Sequence, residues 1–210
     1  MEVLTAAAFA LVALVAIVTP GPTVLLALAN GSRFGVRRAT FGMLGAVVSD
    51  AVLVLAVALG LGALFATSEL IFSIVKWVGV AYLVFIGVML IRSKGKLGHV
   101  DEQENPRGGS RRSVFLKSFL VAVTNPKGYL FAGALLPQFI DPARPQVVQY
   151  VALGILFCAL DFVVMFAYAV LGNQAVRLLR RRGVLWIDRI CGTVLLGLAA
   201  SLAFIRRANA

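Results

Sequence analysis

The chain has 210 residues, 60% of them hydrophobic and only 14% charged, with a mean hydropathy of +0.95. Globular domains average roughly 45–50% apolar and about 25% charged residues, so an ordinary water-soluble domain is excluded, and disorder with it, because disorder needs low hydrophobicity. Two cysteines, Cys158 and Cys191, are too few for a disulfide scaffold, and the net charge of +11 lies in loops between apolar runs, as topology signals and anionic-lipid contacts do, rather than forming a nucleic-acid surface.

An all-α integral membrane protein remains. A spanning helix needs roughly 20 apolar residues, and six apolar segments can be read: 3–29, 39–65, 70–91, 113–140, 147–172 and 187–205. The start, Met1-Glu2, lacks the basic region of a signal peptide, and the apolar run after it is too long for one, so the first segment is expected to persist as a helix. The polar stretch 92–112 contains His99, Pro106, Gly108 and Gly109 and reads as a flexible linker. It divides the chain into two three-helix units, 1–91 and 113–210. Lys and Arg concentrate in the first loop (Arg33, Arg37, Arg38), the linker, and the fifth loop (Arg177, Arg180, Arg181, Arg182, Arg189). Excess positive charge marks the cytoplasmic side, which makes 92–112 a cytoplasmic linker and puts both termini outside. Arg206 and Arg207 argue weakly against this orientation.

Three helices starting outside followed by three starting inside make an inverted repeat, an arrangement common in secondary transporters. Helix one is interrupted by Thr19-Pro20-Gly21-Pro22 and helix four by Thr124-Asn125-Pro126-Lys127. About 24 and 17 Å of helix precede the two breaks, so both fall inside a hydrocarbon core about 30 Å thick. Proline removes a donor from a running helix but suits the first position of a new one. Asn125 is a natural N-cap before Pro126, and Gly21 can take the irregular backbone before Pro22. Each break thus creates a helix N-terminus within the bilayer, with free N–H groups and a positive dipole end suited to a carboxylate. Kinks that only shape packing are the alternative. Two breaks in corresponding helices favour a site.

Asp50 and Asp161 are the only charged residues of helices two and five, again corresponding positions. A carboxylate at that depth costs on the order of 2.5–3.5 kcal/mol on insertion scales, so such a group faces the interior and has a partner or a function. Lys127, at the start of a half-helix, opposes the dipole. It forms either a static ion pair with an aspartate or part of a substrate or proton site. Tyr82 is either a cavity-lining or a packing aromatic. The lone His99 reads as a solvated loop residue. The cysteines show no Cys-x-x-Cys spacing, so neither a metal nor a redox cofactor is expected, and there is no Walker A motif for ATP hydrolysis.

Three stretches in order carry a family resemblance: Thr19-Pro20-Gly21-Pro22 with Gly31 and Gly35; Lys76-Trp77-Val78-Gly79-Val80-Ala81-Tyr82-Leu83 with Gly87; and Phe119 through Thr124-Asn125-Pro126-Lys127 to Leu136-Pro137-Gln138-Phe139-Ile140-Asp141. On these the chain resembles the LysE/RhtB family of bacterial amino-acid exporters over essentially its whole length. The resemblance implies a multi-pass protein of the bacterial inner membrane that exports amino acids or close derivatives in exchange for protons. It points to Pro20, Gly21, Pro22, Asn125, Pro126 and Lys127 as substrate-binding, with Asp50 less directly. Thr23 stands where many members place Asn, Asp or Gln, and Gly128 where Ala is common, so both bear on substrate choice. On this reading the substrate carboxylate meets the two half-helix N-termini and Lys127. Its ammonium meets Asp50 or Asp161, and protonation of one aspartate supplies the coupling. Other solutes, a metal cation or a toxic compound, form the competing class, but Lys127 opposes a cation and oxygen ligands are few. A thiol–disulfide carrier would need a cysteine pair that the spacing denies. Six spans are compatible with a homodimer.

Overall fold

The computed structural model describes residues 3–60, 69–92 and 110–204. Most of the linker 92–112, with His99, lies outside the described residues, as do the end of the second apolar segment and the last six residues. All described elements are helical, and no strand occurs among the described residues. In chain order they are α1 (Val3–Val18), α2 (Pro22–Phe34), α3 (Val36–Ala58), α4 (Glu69–Ile91), α5 (Arg111–Val123), the short α6 (Pro126–Leu130), and α7 (Gln146–Phe204). Between α6 and α7 the backbone widens into a π-helical turn, Phe131–Leu135, and then tightens into a 3₁₀ turn, Leu136–Phe139.

The breaks expected from proline and glycine are present. α1 and α2 meet at 61°, and α5 meets the segment Lys127–Phe139 at 58°. Pro22 and Pro126 each open the second half of a bent helix, where the missing N–H is no loss. α3 and Gln146–Val176 of α7 are long and apolar enough to cross a bilayer, and each bent pair adds one more such crossing if counted as a single span. α4 carries a shorter apolar run, Lys76–Ile91. At the junction of α2 and α3, Gly35 has φ 73, a conformation that favours glycine, and its N–H bonds to Gly31 O at 3.1 Å.

The largest departure from the sequence reading is the expected loop after 172. Its residues are helical rather than looped, and α7 spans Gln146–Phe204 with no residue outside helix. Asn173–Gly183 has no proline and is rich in Leu and Arg, which are good helix formers. The segment nevertheless folds back. A Cβ on Gly31 would lie 2.1 Å from Ala169 O, while Arg33, half a turn further, holds Asp188 at 3.0 Å. A straight helix would separate residues 169 and 188 by about 28 Å, so the chain reverses between them.

Two apolar clusters result. One joins Phe9 of α1, Met43 and Leu53 of α3, Phe131 and Leu136 beyond the second break, and Leu153, Phe157 and Met165 of α7. The other joins Leu25, Leu26 and Ala29 of α2, Leu83, Ile86 and Leu90 of α4, and Cys191, Leu195 and Ala199 of α7. α2 reaches α7 closely because Gly31 and Gly172 leave no side chain between backbones. Large apolar side chains also face outward, among them Leu11, Val15, Leu55, Trp77, Phe85, Ile155 and Leu171, as lipid-facing surfaces require.

Candidate functional site

Both breaks stop their helices by the same device. Thr19 Oγ1 donates to Val15 O at 2.9 Å and Thr124 Oγ1 to Leu120 O at 2.7 Å. The carbonyls left at the end of α1 are taken up from elsewhere: Tyr168 of α7 donates to Val18 O at 3.0 Å, and Lys127 Nζ donates to Thr19 O at 2.7 Å. At the second break the Tyr129 hydroxyl donates to Val123 O. Helix ends inside an apolar medium must satisfy their carbonyls in this way.

The breaks adjoin a cavity of about 40 Å³, on the scale of a few waters. Its polar side is formed by Gly21, Thr23, Asn125, Lys127, Asp50 and Asp161. Ala16, Ile17, Ala122, Gly128, Phe131 and Phe157 complete the wall. The Asn125 side chain caps the second half-helix, accepting from Lys127 N at 3.1 Å. Gly21 gives α2 no side-chain cap, so the N–H groups of its first turn lack the N-cap acceptor that Asn125 gives the second half-helix.

Asp50 of α3 and Asp161 of α7, both buried, have carboxyls close enough to interact directly. Asp50 Oδ2 is buried and meets no hydrogen-bond donor among the described residues. Two facing carboxyls are joined by a shared proton, a bridging water or a ligand cation. Asp161 is the carboxylate whose charge bears on Lys127, yet the ammonium is bonded to the Thr19 carbonyl rather than held in a closed ion pair with either aspartate.

Of the residues singled out from sequence, Gly21, Thr23, Asn125, Lys127, Asp50 and Asp161 line this one cavity. Pro20 is exposed, and Pro22 is buried as the first residue of α2. Pro126 holds the same position in α6. Tyr82 is not part of the cavity wall: its hydroxyl donates to Lys117 O at 3.3 Å, between α4 and α5. Phe131 and Phe157 had no place in the sequence reading. The signal was there, because each lies four residues, one helical turn, from a charged residue of the site: Phe157 from Asp161 and Phe131 from Lys127. No group of His, Cys, Asp and Glu that could hold a metal occurs among the described residues.

The family model for LysE type translocators matches residues 14–205. An uncharacterized membrane protein of Vibrio cholerae serotype O1 is 33% identical over 197 residues, 93% of this chain and 95% of its own. Homoserine/homoserine lactone efflux proteins of Salmonella typhimurium and Salmonella typhi are 36% and 34% identical over 157 residues, 74% of each chain. No solved structure matches. The chain belongs to the LysE-type translocator family, and it is a membrane transporter, not an enzyme.

Proposed function

We propose that this translocator exports amino acids or close derivatives of the homoserine type from the cytoplasm, in exchange for protons. The observation that carries the proposal is the Asp50–Asp161 pair, with one carboxylate oxygen lacking a donor, in the same cavity as Lys127 and the open end of α2. A zwitterion matches that pattern. Its carboxylate takes Lys127 and the bare N–H groups of α2, and its ammonium takes the aspartates. With no ammonium present, one proton shared by the two carboxyls takes its place. Proton and substrate then exclude each other, which is the requirement for antiport.

The homoserine efflux relatives support the substrate class. The positions of the breaks and aspartates fit a six-helix arrangement of two inverted repeats, 1–91 and 113–210, in a bacterial inner membrane. The Arg-rich segments then face the cytoplasm and both termini face outside.

Export from cells loaded with mixed dipeptides tests the proposal, because hydrolysis floods the cytoplasm with amino acids. The protein should speed release of a subset of them, and dissipating the proton gradient should stop it. Asp50→Asn and Asp161→Asn, each verified in the membrane, should abolish coupled export. Unchanged export in both variants would refute the coupling. Release of no amino acid by the unaltered protein would refute the substrate class and turn attention to metal ions and toxic compounds.

A further inference from the structure

We propose that the stacked pair Phe131–Phe157 sets the upper size limit of the substrate side chain, restricting this transporter to amino acids with short side chains. The inference rests on the export reading and adds a determinant of its substrate range.

The argument starts from two helical turns. Asp161 and Phe157 lie one turn apart on one face of α7, and Lys127 and Phe131 one turn apart beyond the second break. Both rings line the cavity that Lys127 and Asp161 also line. They meet there, with centroids 4.5 Å apart and planes 14° from parallel. A zwitterion held between Lys127 and Asp161 therefore has these two stacked rings in the wall of its own cavity. The cavity, about 40 Å³, leaves room only for a short side chain.

The wall is braced from behind. Phe131 packs on Phe9, centroids 5.7 Å apart, and Phe9 meets Phe139 edge-on at 5.3 Å. Phe9 is wholly buried, and Phe131 and Phe157 are nearly so. Interiors packed in this way resist local expansion. The π-helical turn that begins at Phe131 is an irregularity that recurs at functional sites in other helices. Ile17 adds an aliphatic side to the same wall, whereas Ala16, Ala122 and Gly128 take little of the volume.

The experiment compares export of alanine, serine, threonine and homoserine with that of leucine, methionine and phenylalanine. It uses the full-length protein and the variants Phe157→Leu, Phe157→Ala and Phe131→Leu. A matched change of pocket size alters discrimination by about tenfold per methylene, so the large-to-small export ratio should rise about tenfold in at least one variant. An unchanged ratio, or a uniform change across all amino acids, overturns the proposal while leaving amino-acid export standing. Export of none of these by the unaltered protein overturns both. If a variant does not transport, the Tm of the purified protein with each amino acid gives a readout free of turnover, because ligands stabilise the folded state they bind. New stabilisation by leucine or methionine supports the size limit, and stabilisation by the short amino acids alone refutes it.

Discussion

The break at Thr19–Pro22 and the break at Thr124–Lys127 end their helices alike and restart them differently. Each threonine hydroxyl closes the last turn before its break, and each restart has proline in its first position. The first break then presents an uncapped helix N-terminus and runs on as thirteen residues of regular α-helix. The second is capped by its own asparagine, supplies the cation, and gives way to π and 3₁₀ turns after five residues. The difference is a division of labour. One break is a receptor with unfilled donors. The other is a finished helix end that reaches across with Lys127 and ties the two together at Thr19 O. If the protein is built from an inverted repeat, the two halves of the site have not remained equivalent.

Among changes at the two breaks, removing the tie should have the largest effect. Lys127→Met deletes the ammonium that bonds Thr19 O and that would hold the substrate carboxylate. Hydrogen bonds to charged groups contribute roughly 1.5–3 kcal/mol, so export at low substrate concentration should fall about 10- to 100-fold. Lys127→Arg keeps the charge but not the compact geometry and should retain part of the activity. Wild-type export by Lys127→Met would mean that the contact between the breaks is a packing detail.

The symmetry of the breaks was legible in the sequence, and their asymmetry was not. Proline, glycine and threonine act on the backbone within a turn, so Thr19–Pro22 and Thr124–Lys127 announce helix interruptions locally. Asp50 and Asp161 announce themselves by depth. Three other features depend on which distant segments meet. The acceptor of Lys127 is a backbone carbonyl 108 residues away, and every residue carries a carbonyl. The aromatic wall arises because α7 folds beside the second break. The ion pair Arg33–Asp188, nearly buried on the aspartate side, joins α2 to the far part of α7, where the sequence suggested only basic loops. The expected loop at 173–186 failed for the opposite reason. A polar gap between two apolar segments reads as a loop, yet arginine and leucine without proline favour helix.

An intermediate effect should come from Asn125, the cap that makes the second break self-sufficient. Asn125→Ala frees the Lys127 N–H from its 3.1 Å bond to Oδ1 and should destabilise the protein by about 1 kcal/mol, read as a lower Tm in detergent. Export should weaken as well, because the same residue lines the cavity. Asn125→Asp or Asn125→Ser should recover most of the stability. Equal stability in the alanine variant would mean that the second half-helix is held by its tertiary contacts rather than by its cap.

The smallest change in stability should come from finishing the first break as the second is finished. Gly21 has φ −127 and ψ −179, an extended conformation open to any residue. A Cβ there would meet Lys127 Cδ at 3.6 Å and Nζ at 3.7 Å, ordinary contact distances. Gly21→Ser therefore fits and gives α2 the side-chain acceptor it lacks. Relative to glycine, such a cap stabilises by only a few tenths of a kcal/mol, a rise in Tm at the edge of detection. Its effect on transport should be larger than its effect on folding, because the serine oxygen occupies the N–H groups assigned to the substrate carboxylate. Loss of one hydrogen bond to the charged carboxylate, about 1.5 kcal/mol, should raise the apparent KM for export about tenfold. Gly21→Asp should raise it further by placing a carboxylate beside Lys127, in the position where the substrate's own would bind. A serine variant with raised Tm and unaltered KM would show that the open end of α2 is a gap in the capping and not the receptor for the carboxylate. The charge of Lys127 alone would then have to hold the anion.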